Sequence, residues 1–235
     1  MLPFSLREFN KSIKDAFTHL VELELSGWEY SPNLYVSAPN AEMKKVSFNP
    51  EIKYEKIFLT IHRFGGYNIQ LIDGSVLQFW VSDDRKKARY AYYPCPFETL
   101  DADLLDRISG GELERSVIED QLYSELEVHI NKPVIRYDFD EVAYDPVYHP
   151  ASHLTVGIHT NSRWPLKGFL TPEAFSLYIA KQYYELHWEQ KCEDEKCRMG
   201  YKSKFDRKIR EIMDATRKCD LGLFDASEEG QLFFY

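Results

Sequence analysis

The run Arg136-Tyr137-Asp138-Phe139-Asp140 alternates charged and aromatic side chains, and His149-Pro150-Ala151-Ser152-His153-Leu154-Thr155-Val156-Gly157-Ile158-His159 follows after a short connection. On an extended strand alternate side chains share a face. Arg136, Asp138 and Asp140 then point one way, with Ile135, Tyr137 and Phe139 toward a core. In the second run His153, Thr155 and His159 share a face opposite Leu154, Val156 and Ile158. Pairing of the two strands would bring carboxylates, imidazoles and a guanidinium onto one surface, which makes Arg136, Asp138, Asp140, His149 and His153 the candidate catalytic residues. Such an inventory suits acid/base work on a phosphodiester: histidine carries the proton, aspartate orients it or holds a metal, and arginine meets the developing anion. The competing reading is the solvated polar side of an ordinary sheet, with Asp138 bridging Arg136 or a neighbouring backbone group.

No cofactor follows from these residues. A divalent metal is the one candidate, with His149, His153 and His159 beside Asp138 or Asp140 as ligands for zinc or manganese. A His-x₃-His spacing running from loop into strand has no fixed geometry, however. Cys192 and Cys197 lack a second ligand pair at zinc-finger distance and read as incidental thiols. Gly65-Gly66 and Gly110-Gly111 are isolated pairs with no phosphate-loop pattern around them, and no G-x-S-x-G nucleophile elbow occurs.

The elements that must position these residues read as α+β. Phe4, Leu6, Phe9, Ile13, Ala16, Phe17, Leu20 and Val21 recur at helical spacing and predict an N-terminal helix ending before Gly27. Strands are predicted at Trp28 to Ser37, Ile57 to Arg63, Tyr67 to Ile72, Val76 to Val81 and Ala88 to Tyr93, with Asp73-Gly74 as a hairpin turn. A second helical region is predicted from Asp101 to Leu126, then strands at Val134 to Phe139 and Leu154 to Ile158. Thr171-Pro172 reads as an N-cap with proline in the first turn, opening a helix to about Trp188. Pro39 to Pro50 and the charged stretch Glu189 to Gly200 read as loops, and a last helix runs from Lys202 to Cys219. This order predicts an antiparallel sheet with N-terminal, middle and C-terminal helices packed on it, within one domain over residues 1–235.

Composition narrows the partners. With 44% hydrophobic and 15% aromatic residues the chain can bury a sizeable core. Its 29 basic against 38 acidic side chains give a formal charge of −9, which opposes non-specific binding to nucleic acid. The clusters Arg85, Lys86, Lys87, Arg89 and Lys202, Lys204, Arg207, Lys208, Arg210 read as solvated faces. No apolar run approaches the roughly 18–20 residues that span a bilayer, and the start lacks signal-peptide order, so a cytoplasmic protein with reduced cysteines is expected. The terminal Phe233, Phe234 and Tyr235 are candidate anchors for a protein partner.

Arg136 to Asp140, His149 to Leu154 and Leu170-Thr171-Pro172-Glu173-Ala174-Phe175 together resemble an uncharacterised bacterial family, domain of unknown function 2290, over the C-terminal third. The resemblance implies a bacterial cytoplasmic protein. Because such families are often encoded beside anti-phage defence genes, it also implies an accessory or partner-binding subunit of a defence assembly. It supplies no residue roles, so the phosphodiester-acting, nuclease-like reading stands on the polar cluster alone.

Overall fold

In the computed structural model the described residues are 4–27, 32–34, 46, 49–97, 132–146, 148–160, 162–196, 204–217 and 222–229. Within them lie six strands: β1 (Ile69–Gln70), β2 (Val76–Val81), β3 (Lys87–Tyr93), β4 (Ile135–Asp140), β5 (Ser152–Val156) and β6 (Trp164–Pro165). They form one antiparallel sheet in the order β1-β2-β3-β4-β5-β6, each strand pairing with the next along the chain. The helices are α1 (Leu6–Glu22), α2 (Tyr54–Arg63), α3 (Pro172–Tyr183), α4 (Glu185–Lys196), α5 (Lys204–Arg217) and α6 (Ala226–Glu229). The molecule is therefore α+β, as its element order predicts.

Sheet register explains how the two faces differ. Phe79, Tyr90, Tyr137 and Leu154 lie opposite one another across β2 to β5, as do Leu77, Tyr92 and Ile135 across β2 to β4. These side chains join Phe9, Ile13 and Phe17 of α1 and Phe175 and Ile179 of α3 in the main core. The rings interlock edge to face: Phe169 meets Tyr90, Tyr137 and Phe139 at centroid distances of 6.2, 5.6 and 5.5 Å. Tyr137 keeps its hydroxyl satisfied there, 3.0 Å from Ser152 Oγ, which itself donates to the Gly168 carbonyl at 2.8 Å.

Helix boundaries follow local chemistry. Ser5 caps α1: its hydroxyl accepts the Glu8 amide, and the Glu8 carboxylate accepts the Ser5 amide in return. Thr171 caps α3 in the predicted way, with Pro172 in the first turn. Gly74 supplies the positive φ of 79° that the β1–β2 turn requires.

Two predicted elements differ. Ile57 to Arg63, read as a strand, is helix α2; Ile57 and Ile61, four apart, face Val76 of the sheet, with Tyr93 packed against the same small cluster. A short apolar run does not reveal its period, and here burial of one helical stripe decides it. The stretch from Glu189, read as a loop, continues as α4 to Lys196, because Tyr184, Trp188 and Cys192 recur every four residues against the core. The helix predicted to Trp188 breaks at Tyr184 accordingly. Of the strand predicted from Trp28 to Ser37 only residues 32–34 are described, and they form no strand; the helix from Asp101 to Leu126 and the C-terminal aromatics lie outside the described residues.

Candidate phosphate-binding site

On the second face of the sheet, α2 covers only one end. Val46, Ile57, Ile61 and Val76 form a small apolar cluster there, with Tyr93 and Ile158 packed against it. Beyond it the register sets Trp80, Arg89, Asp138, His153 and Pro165 in one row across β2 to β6. Lys87 and Asp140 pair in the next row, and Arg136 pairs with Thr155 in the row before. The alternation read from Arg136, Asp138 and Asp140 thus places them together with His153 and Thr155. His159 does not join them: Gly157, with φ 97°, ends the strand, and His159 is exposed beyond it.

Asp138 is the hub of the row and is buried. Arg89 donates from Nε to its Oδ1 at 2.6 Å, and Arg136 donates from Nε to its Oδ2 at 2.5 Å. Burial pushes the carboxyl up, but the two guanidiniums outweigh it and hold Asp138 below the ordinary carboxylate range. A guanidinium has five N–H donors, and each arginine spends only its Nε here. Asp138 thus grips two arginines by the side, and among the described residues their terminal nitrogens have no other partner. Asp140 is engaged differently. It accepts from Lys87 Nζ at 2.8 Å and from the Val142 and Ala143 amides at 3.0 Å, which shapes the turn leaving β4.

His153 is buried, and its Nδ1 lies 2.8 Å from the Pro150 carbonyl, which can only accept. The proton therefore sits on Nδ1, and the Nε2 lone pair faces Asp138 Oδ2 at 4.0 Å, beyond hydrogen-bond distance. Burial holds the imidazole below its ordinary value, against the opposing pull of Pro150 and Asp138, and keeps it neutral near pH 7. His149 stands perpendicular to it, centroids 5.5 Å apart, with a buried Nδ1 that has no partner among the described residues. Backbone bonds between Asp145 and His149, at 2.8 and 3.0 Å, hold the β4–β5 connection that delivers His149. Arg163 donates to the Tyr148 carbonyl at 3.3 Å and closes the site from the β5–β6 side.

The half-open cavity has a volume of about 110 Å³ and is lined by Lys87, Arg89, Arg136, Asp138, Asp140, His149, His153 and Arg163 among others. The histidines aside, four cations face two carboxylates. A local surplus of two positive charges therefore sits in a chain whose overall charge is −9. Lys87, Arg89 and Arg163 complete the site without having been singled out by their spacing; alternation of Lys87 and Arg89 within a strand was the available signal. Among the described residues no three His, Cys, Asp or Glu side chains converge to hold a metal, because Asp138 is committed to arginines and His159 lies elsewhere.

Residues 24–218 match the family model described as Uncharacterized conserved protein (DUF2290). The chain belongs to this family. The match corrects the extent of the resemblance, which covers most of the chain rather than its C-terminal third, and it spans all six strands and every residue lining the cavity. Only α1 among the main core elements precedes it. No curated protein and no solved structure matches the chain. Among the described residues no helix is long and apolar enough to cross a membrane.

Proposed function

We propose that this member of the DUF2290 family is a phosphodiester-acting enzyme whose active site is the cavity on the second sheet face. The observation that carries the reading is the row Arg89–Asp138–His153, with His149 set against His153 and a surplus of cations around them. In this scheme the outer guanidinium nitrogens of Arg89 and Arg136 bind the non-bridging oxygens, and Lys87 and Arg163 add to the charge that stabilises the transition state. His153 Nε2 takes a proton from the attacking water, the water oxygen bonds to phosphorus, and the ester P–O bond breaks. His149, acting in its imidazolium form, gives a proton to the leaving oxygen, and the proton gained by His153 replaces it through solvent. Asp138 is a positioning residue: it touches the arginines and leaves the substrate to them.

Hydrolysis of bis(p-nitrophenyl) phosphate tests the scheme. Loss of a general base typically costs about 10²–10⁴-fold, so His153→Gln and His149→Gln should each lower kcat by at least about a hundredfold. Both should keep the circular dichroism of the parent. Wild-type protein without turnover, or a folded His153→Gln variant with full turnover, refutes it.

The accessory, partner-binding reading, with its defence association, draws on a different observation. Val142 and Tyr148 are large apolar side chains left exposed on the same β4–β5 connection that carries His149. Exposed apolar groups grouped on one connection suit a protein partner. In that reading Val142→Asp with Tyr148→Asp abolishes co-purification of the partner and leaves phosphodiester turnover in place; retained co-purification refutes it.

A further inference from the structure

Trp80 extends the row of the site by one strand. It lies opposite Arg89 across β2–β3, on the same face as Asp138 and His153, and it is half-buried. Its chain neighbours Phe79 and Val81 turn to the main core, whereas among the described residues the Trp80 side chain makes no hydrogen bond and meets no ring. A large flat, half-buried side chain is thus held beside an anion clamp, its indole N–H without a partner among the described residues. Strands lie roughly 4.8 Å apart, so the indole stands about 10 Å across the sheet from Asp138, two strands away.

The cavity itself limits what enters it. At about 110 Å³ it falls well short of the roughly 300 Å³ at which pockets for whole drug-sized ligands begin. A phosphate group fits, while the remainder of a ligand must lie outside along the sheet. In the direction of Arg89 that remainder meets Trp80. Aromatic side chains on a sheet face commonly stack a nucleobase.

We infer that the substrate is a nucleoside phosphodiester gripped through one phosphate in the cavity and one base stacked on Trp80. The inference rests on the phosphodiester reading and adds the substrate class and a specificity-determining residue. A small dinucleotide and the end of a longer strand share this chemistry. The site surplus of two charges, within a chain of charge −9, matches one phosphate rather than a track of them.

The test compares thymidine 5′-(p-nitrophenyl) phosphate with methyl p-nitrophenyl phosphate, which share a leaving group and differ in the base. Wild-type protein should prefer the nucleoside ester. Trp80→Ala should cut that preference in kcat/KM by about tenfold, mainly through KM, and Trp80→Phe should restore most of it. A preference unchanged in Trp80→Ala overturns the role of Trp80, as does an equal loss on both esters without rescue by Trp80→Phe. If wild-type protein hydrolyses neither ester, the phosphodiester reading itself falls and this inference with it. Salt dependence tests the one-phosphate footprint. For a long single strand the slope of log Kobs against log salt should be about −0.7, the value for one neutralised phosphate. A much steeper slope for the long strand reveals a polymer track and overturns the one-phosphate footprint.

Discussion

Replacing Asp138 with Asn tests the physical premise of the site, that one carboxylate holds two guanidiniums in place. The carboxylate side chain is 11% exposed, Arg136 is 28% exposed and Arg89 is 40% exposed. Breaking a fully buried ion pair costs about 3–5 kcal/mol, whereas an exposed pair is worth about 0–1 kcal/mol. The Arg89 arm, open to solvent by more than a third, belongs near the lower figure, and the Arg136 arm lies between the two. Asp138→Asn keeps the shape but leaves two cations facing an amide, so the expected loss is about 2 kcal/mol. For a chain of this size that corresponds to a fall in Tm of about 4–8 °C at pH 7.

The pH dependence has a definite sign. Asp138 has a folded value below its unfolded one, so it contributes stability above the ordinary carboxylate value of 3.8, and that contribution is lost as pH falls through the lower folded value. Melts of wild-type and variant protein should therefore converge in acid and separate toward neutrality. A variant melting within about 1 °C of wild type at pH 7 would refute the argument, because the arginines would then be held by something other than Asp138. The solvated-face reading of the sequence implied a cost within about 0.5 kcal/mol. Burial of Asp138 and His153 raises that figure.

Three other perturbations probe the frame around the site. His62 is buried and held to about 4 from 6.5, chiefly by burial; urea titrations should show roughly 3 kcal/mol of stability lost as pH falls from about 6.5 to 4, and His62→Leu should flatten that slope. Tyr184→Phe removes a hydroxyl that donates to Asp73 at 2.8 Å and lies 3.0 Å from the Tyr92 hydroxyl; denaturant melts should register a loss of about 1–3 kcal/mol, since Tyr92 is buried. Burial pushes the Cys95 thiol up to about 12, so iodoacetamide at pH 8 should leave Cys95 unmodified in the native protein and label it in denaturant, as read by peptide mass.

The sequence disclosed whichever features depend on residues close together in the chain. Strand β2 lies at Val76–Val81 as predicted, Thr171 caps its helix, and Asp73-Gly74 turns the chain between β1 and β2. Each is a matter of period, cap or turn chemistry over a few residues. Helix α2 was misread because seven residues rich in β-branched and aromatic side chains suit either period until a partner is known, and that partner, Val76, belongs to another element. Helix α4 was hidden by its charge: only Trp188 and Cys192 mark the buried stripe, four residues apart among solvated neighbours.

The same distinction governs the site. Alternation alone sorted Arg136, Asp138 and Asp140 to one face and His153 to another strand's matching face, so half of the cavity wall was legible. Arg89 was not, although it makes one of the two closest contacts to Asp138, because those residues are 49 positions apart and meet only through the β3–β4 register. That register is set on the opposite face, where Tyr90 packs against Tyr137 with centroids 5.0 Å apart and both rings are fully buried. A slip of one residue would turn those rings to the polar side and Arg89 into the core, at a cost no ion pair could offset. The aromatic core therefore aligns the charged row: the energy that fixes Arg89 against Asp138 comes mainly from Tyr90, Tyr137 and Phe169, on the opposite face of the sheet.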